Sequence, residues 1–206
     1  MIEVLHDDDN VVVVVKPAGM PVHPSPGYVH GTLTETLVRS YPQMRDVGSV
    51  ERPGVVHRLD IETSGVMVLA KTQRAYLELR RQFESHVQVR KVYLAVLHGA
   101  PKQRKGTCSE PIDGKPAISH WEVLARNGDK ALVEFTIETG RTHQIRRHAK
   151  FLGHPIVGDR LYGDQSTRNG AARMLLHAVQ LEFTHPISGR RMQFAAEPPS
   201  DIVFAR

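Results

Sequence analysis

The most chemically suggestive stretch of the chain is His57-Arg58-Leu59-Asp60-Ile61-Glu62-Thr63-Ser64-Gly65. It places a carboxylate one residue removed from an arginine and backs it with turn-forming Thr, Ser and Gly. A nearby cation lowers the pKa of an aspartate and keeps it ionised, which suits a nucleophile. On these residues alone a surface Arg/Asp pair before a turn is favoured by about two to one, because isolated pairs of that kind are common and contribute little. A second group is Thr139-Gly140-Arg141-Thr142-His143-Gln144-Ile145-Arg146-Arg147-His148. Here Arg146 falls in the first turns of a helix, where the macrodipole disfavours a cation, so some other group should hold it. The helix start is itself positive and suits a phosphate. The same residues also read as a basic amphipathic helix facing water. Lys91 and Tyr93 are two apart in a strand-like run, so both can point to one face. A tyrosine there can stack on an extruded base or serve as a core aromatic.

Twelve histidines raise the question of a metal. His143 and His148 are five apart rather than four, so they do not share one helical face, and neither HExxH nor CxxC is present. No metal site is expected. The single cysteine, Cys108, excludes an intrachain disulfide and fits a reducing compartment. With only Lys105 as a nearby basic group, it reads as an incidental small residue.

These residues need a scaffold, and the pattern supplies one. Five consecutive valines, 11–15, closed by Lys16-Pro17-Ala18-Gly19, predict a buried central strand entering a turn. Residues 21–31 form an irregular loop, and a short helix spans about Thr32 to Arg39. Gly65 to Ala70 is a second apolar strand, after which Thr72 caps a helix carrying Tyr76, Leu79 and Phe83. A doubly covered strand at 91–98 follows, and 99–118 reads as a loop or short hairpin. Trp121 to Ala125 and 131–138 pair through Asn127-Gly128-Asp129. Thr142 is the expected N-cap of a helix with Ile145, Ala149 and Leu152 on its apolar stripe, ended by Gly153. Strands near 179–184 and 191–196 close the chain around a Pro186-to-Gly189 turn. Many strands, few helices and little βαβ alternation predict α+β with a largely antiparallel, mixed sheet.

The 206 residues suffice for one well-filled domain. Lysine and arginine number 27 against 22 acidic residues, for a net charge of +5 and a pI near 9.5. That balance favours polyanions without requiring them. An acidic start (Glu3, Asp7, Asp8, Asp9) fits neither a signal nor a transit peptide, and no run approaches a bilayer span of roughly 18 apolar residues. A cytoplasmic location is the expectation.

Taken together, His57-Arg58-Leu59-Asp60, Thr63-Ser64-Gly65, Lys91-x-Tyr93, Thr139 through Arg146, Gly153-His154-Pro155-Ile156-Val157-Gly158-Asp159 and Leu176-His177-Ala178 resemble the RluA-type pseudouridine synthases. The likeness runs in register from about Val11 to Pro199. It implies a pseudouridine synthase fold, a curved, mixed, largely antiparallel sheet in two halves around a central RNA-binding cleft. It implies one catalytic domain over 1–206 without the separate N-terminal RNA-binding domain that many relatives carry. It implies an isomerase that flips a uridine out of RNA and converts it to pseudouridine. Asp60 would be the nucleophile, attacking either sugar or base, with Arg146 as its charge partner. Tyr93 would stack on the uracil and help remove the proton from carbon 5. Arg58 would fill the space left by the extruded base. With it, His57, Lys91, Arg141, His143 and Gln144 would contact RNA. No cofactor or metal follows from an internal rearrangement, nor any membrane or obligate protein partner, and a monomer is the default. Arg52-Pro53-Gly54 leans toward large-subunit ribosomal RNA over transfer RNA. Two other classes compete: an RNA-binding module without chemistry, for which Asp60, Tyr93 and Arg146 together are superfluous, and a metal-dependent hydrolase, against which the histidine spacing stands.

Overall fold

The computed structural model describes residues 2–86, 88–168 and 171–203. The chain divides into two compact units, Met1–Val89 with Gln180–Ala196, and Arg90–Val179 with Glu197–Arg206.

The first unit opens with a hairpin of strands β1 (Glu3–Asp7) and β2 (Val11–Lys16). Its turn is closed by Asp8, whose carboxylate accepts the N–H groups of Asn10 and Val11 at 2.8 and 2.9 Å. The acidic start thus forms a strand and a turn that composition did not suggest. Helix α1 (Leu33–Ser40) begins where Thr32 Oγ1 accepts the Glu35 N–H. A 3-10 turn (Pro42–Asp46) and the two-residue strands β3 (Gly48–Ser49) and β4 (Arg52–Pro53) lie in what sequence marks as loop. Strand β5 (Ser64–Ala70) runs antiparallel to β2, opposing Val11 with Ala70 and Lys16 with Gly65. Helix α2 (Gln73–Ser85) is capped by Thr72, as predicted. Its Ala75, Leu79 and Phe83 recur every four residues and pack on Val11, Val13, Val66 and Val68. The valine run is apolar throughout because β2 is an inner strand lying between β1 and β5.

The second unit holds β6 (Arg90–His98), β7 (Lys105–Cys108), β8 (Ser119–Asn127), β9 (Lys130–Ile137), α3 (Gln144–Phe151) and α4 (Gln165–Arg168). Strand β10 (Leu176–Thr184) gives its first residues to this unit and its last to the other, where β11 (Arg191–Ala195) pairs with it. The strand orders are β1-β2-β5-β10 in the first unit and β10-β6-β9-β8-β7 in the second. The pairings β1–β2, β2–β5, β6–β9, β8–β9, β7–β8 and β10–β11 are antiparallel, so the fold is α+β with a largely antiparallel sheet.

Register decides what each face of the second unit carries. Lys91 opposes Ile137 and Tyr93 opposes Phe135, which in turn opposes Trp121 on β8. Because directly opposed residues share a face, Lys91, Tyr93, Ser119, Trp121, Phe135 and Ile137 lie on one side. The other side presents Leu94 and Val96, which cluster with Val157, Leu175 and Ile202. A bulge between Val123 and Ala125 leaves Leu124 outside the register, and its side chain is exposed.

Helix α3 departs from the predicted start. His143, not Thr142, occupies the N-cap, in a left-handed conformation (φ 54°) and without a side-chain capping bond. The side-chain amide of Gln144, the first helical residue, instead ties the preceding segment down, accepting the Arg141 N–H and donating to the Ile118 carbonyl. The far end follows the sequence expectation: Gly153 (φ 81°) donates to the Lys150 carbonyl and His154 to that of Ala149, the paired bonds of a Schellman ending.

Phe135 is fully buried between Tyr93 and Trp121 in the register. Phe135→Ala should destabilise the protein by about 3–5 kcal/mol, read from urea denaturation.

Candidate active site

In the first unit, residues 57–63 link an isolated bridge, Val55 to Leu69, with the start of β5. The His57 ring stacks on Phe83, with centroids 4.4 Å apart and planes within 7°. Its Nε2 accepts the Val68 N–H at 3.2 Å. One edge of this histidine is therefore committed to the scaffold. Leu59 is buried, Arg58 exposed and Asp60 half-buried, so the backbone turns the arginine outward one residue before it anchors in the core. The Asp60 carbonyl accepts the Thr63 N–H at 3.1 Å, closing a four-residue turn.

What fixes that turn is Lys16. Its side chain is fully buried and its ammonium donates to the carbonyls of Pro17 (2.8 Å), Met20 (2.8 Å) and Ile61 (3.0 Å). The Ile61 carbonyl also accepts the Gly19 N–H at 2.8 Å. A desolvated ammonium has three donors to satisfy, and this one satisfies them on two loops at once. The loop after β2 and the loop carrying Asp60 are thereby tied together. In the sequence Lys16 stands only as the residue that closes the valine run, with no sign of this role. The Thr63 hydroxyl, also buried, has no hydrogen-bond partner among the described residues.

In the second unit, Tyr93 and Lys91 do share one face of β6, and both are buried. The Lys91 ammonium donates to the Thr139 carbonyl at 3.2 Å. Burial, with the Arg141 charge adding to it, pushes its pKa down to about 8. Arg141 donates through Nε to the Pro116 carbonyl at 2.9 Å. His143 meets the Tyr162 hydroxyl at 3.0 Å and the edge of its ring.

Gln144 is buried and its amide is consumed within the unit. Its oxygen accepts the Thr139 hydroxyl (2.7 Å) and the Arg141 N–H (3.0 Å), while its nitrogen donates to the Ile118 carbonyl (2.9 Å) and Ser119 (3.0 Å). His148 continues the network to Ser119 (2.9 Å) and the Glu110 carbonyl (3.0 Å). Burial lowers its pKa and favours the neutral ring. The motif from Thr139 to His148 thus mixes a structural network with groups that face outward.

Arg146 is buried, and Asp159 holds it in a two-pronged pair, Nε to Oδ2 and Nη2 to Oδ1, both 2.8 Å. Its guanidinium also lies 5.1 Å from the centroid of the Tyr162 ring. This answers the cation at the helix start with a carboxylate that sequence reading included in a motif but gave no role. Asp159 is itself fully buried and also accepts the N–H groups of Leu161 (2.9 Å) and Tyr162 (3.0 Å). Burial pushes its carboxyl up, but the Arg146 hydrogen bonds and charge and the two amides outweigh it, leaving the pKa below the usual range. Gly158 makes the position reachable: at φ 81°, a Cβ there would sit 1.9 Å from the Arg173 carbonyl oxygen.

Among the described residues, no three His, Cys, Asp or Glu side chains group as a metal site. Cys108 is buried, which pushes its thiol pKa up, away from a reactive thiolate. No helix among them is long and apolar enough to cross a membrane.

The model of a family described as RNA pseudouridylate synthase matches residues 10–151. An uncharacterized RNA pseudouridine synthase of Synechocystis sp. is 38% identical, over 97% of this chain and 66% of its own length. A ribosomal large subunit pseudouridine synthase D of Nitrosomonas europaea is 39% identical, over 98% of this chain and 63% of its own. The chain thus spans about two thirds of the length of these curated relatives. The solved structure of human RNA pseudouridylate synthase domain containing 4 superposes with a TM-score of 0.77 at 28% identity, over 97% of this chain and 90% of that one.

Two outcomes follow from this geometry. Asp159→Ala strands a buried guanidinium and should cost about 3–5 kcal/mol, read from urea denaturation. For Lys91, the folded protein releases the proton near pH 8 and the unfolded chain near 10.5, so the folded state binds fewer protons between those values. Wild-type stability should therefore gain a contribution as pH rises from about 8 to about 10.5, and Lys91→Met should remove that gain while raising stability below pH 8.

Proposed function

This chain belongs to the RNA pseudouridylate synthase family, and we propose that it isomerises uridines in structured RNA to pseudouridine with Asp60 as the nucleophile. The observation that carries this reading is the Asp60 turn, which the buried Lys16 locks by its backbone and which presents a half-buried carboxylate beside an exposed arginine. A turn held by backbone bonds fixes the position from which the nucleophile acts.

The reaction needs such a group. Breaking the glycosidic bond builds positive character on the sugar, and a fixed carboxylate stabilises it as glycosidase carboxylates do. The uridine must first leave its stack. Arg58, on the exposed side of the turn, fills the space it leaves, and Tyr93 stacks on the extruded base and assists removal of the carbon-5 proton. Arg146 is the charge partner of Asp60. Asp159 supports that role by holding the guanidinium side-on. Arg141 and His143 contact the RNA backbone, and His57 orients the loop. Gln144 serves RNA binding through Arg141, whose N–H it holds. The reaction is an internal rearrangement and calls for no cofactor.

Large-subunit ribosomal RNA is the preferred substrate class over transfer RNA. What supports it is Arg52-Pro53-Gly54 together with relatives named ribosomal large subunit pseudouridine synthase D in Nitrosomonas europaea and Neisseria meningitidis. The chain acts as a monomer in the cytoplasm.

Pseudouridine mapping of total RNA, from cells with and without the protein, tests this reading. A site should vanish on deletion and return with wild type but not with Asp60→Asn, whose product should stay below a few per cent of wild type while RNA binding is retained. Substantial turnover by Asp60→Asn would remove it as the nucleophile.

A further inference from the structure

Most buried cations in this protein are well supplied with oxygens. Lys16 has three carbonyls, Lys71 has the Asp7 carboxylate at 2.6 Å and the Asp8 carbonyl, and Arg146 has both oxygens of Asp159. Lys91 differs. Its side chain is only 6% exposed, yet among the described residues its ammonium makes one hydrogen bond, a 3.2 Å contact to the Thr139 carbonyl. Its other two donors have no hydrogen-bond partner among the described residues, and the charge that acts on it is that of another cation, Arg141. Removing an ammonium from water without a counter-charge is costly and persists only where something else repays it.

The surroundings show where a partner would enter. Gly140 is exposed, and a Cβ built there would lie 3.6 Å from the Lys91 nitrogen. No positive φ requires glycine at this position. Its missing side chain leaves an approach to the ammonium uncovered. Lys91 also shares the face of β6 with Tyr93, two residues on. A ring lying on Tyr93 would carry its edge atoms toward that opening.

We infer that Lys91 is a further catalytic residue, which donates through the opening over Gly140 to a uracil carbonyl oxygen as negative charge gathers there. This rests on the pseudouridine synthase reading. When the bond between N1 of the base and C1′ of the ribose breaks, its electron pair stays on the pyrimidine and spreads to the carbonyl oxygens. C1′ passes to the Asp60 carboxylate. Re-closure forms the C5–C1′ bond and frees Asp60, and as the C5 proton leaves, N1 takes one up. Nothing is oxidised or reduced. If Asp60 instead adds to carbon 6, the same carbonyl system receives the charge as an enolate. In either route a pre-placed, desolvated ammonium stabilises the charged state more than the neutral base.

The test is single-turnover kinetics of the full chain on transcribed large-subunit ribosomal RNA made with uridine or with 5-fluorouridine. Fluorine withdraws electrons and makes the departing pyrimidine a more stable anion, so it needs less help. Lys91→Met should slow uridine conversion by about a hundredfold or more, leave Kd and its salt dependence nearly unchanged, and slow consumption of 5-fluorouridine by about tenfold or less. Its melting temperature should hold or rise, which a merely structural lysine would not permit. Gly140→Ala, which retains the charge and covers the approach, should show the same leaving-group dependence. Equal defects on both substrates, or a weakened Kd with a salt slope reduced by about one and unaltered turnover, would overturn the inference; the latter would make Lys91 a phosphate contact. An active wild type with an unimpaired Lys91→Met overturns this inference alone. A wild type inactive on every RNA overturns the underlying reading as well.

Discussion

A cation taken out of water must be given oxygens, and the way this chain meets that demand sets most of its local architecture. Lys16 is the strongest case. Its ammonium is fully buried and hydrogen-bonds to carbonyls on two loops, one of them carrying Asp60. The loop would otherwise be a Thr-, Ser- and Gly-rich segment with many accessible conformations. The carbonyls could be satisfied by water, but the ammonium could not remain buried without them, so the lysine and the loop geometry stabilise each other.

The same demand is met differently in the second unit. Arg146 is given a carboxylate in the side-on geometry that a guanidinium favours, and Asp159 is in turn held by two backbone amides. Gly158 lets the chain pass close enough to residues 173 and 174 for that aspartate to be placed. On the same helix, the Gln144 amide and His148 join Ser119 and Thr139 in a buried network that ties the helix to the strand before it. His143 begins the helix in a left-handed conformation, against Tyr162 and without a side-chain capping bond. Lys91 stands apart from these arrangements, with a single hydrogen bond to its ammonium among the described residues, and that contrast gives it chemical interest.

The sheet contributes rigidity. Tyr93 and Lys91 are on a strand whose register with β9 is unbroken from Lys91 to His98, while the bulge on β8 lies toward the hairpin end of that strand, away from them. Functional side chains placed on an inner strand lose less precision to loop motion than those on a turn. That division of labour leaves the Asp60 turn as the element most in need of a separate anchor.

Much of this protein was legible in its residues. The valine run, the Thr72 cap, the alternation in β9 and the Schellman glycine depend on local sterics and period, which act over a few residues and leave a pattern in the sequence. The motif blocks carry the family resemblance for the same reason, since each is short and contiguous. What only the tertiary structure decided involves partners far apart in the chain. Lys16 reaches Ile61 and Lys91 reaches the Thr139 carbonyl, and neither backbone acceptor can be read from a side-chain type. Arg146 signalled that it needed a partner, but nothing in its spacing singled out Asp159 from the other carboxylates. Thr142 has the residue type of a cap, but the buried Gln144 amide fixes the segment before the helix through Arg141 and Ile118, and the helix starts after His143. Periodicity is a property of neighbouring residues, whereas the satisfaction of a buried charge is a property of the folded surroundings, and that is where the two sources of information separate.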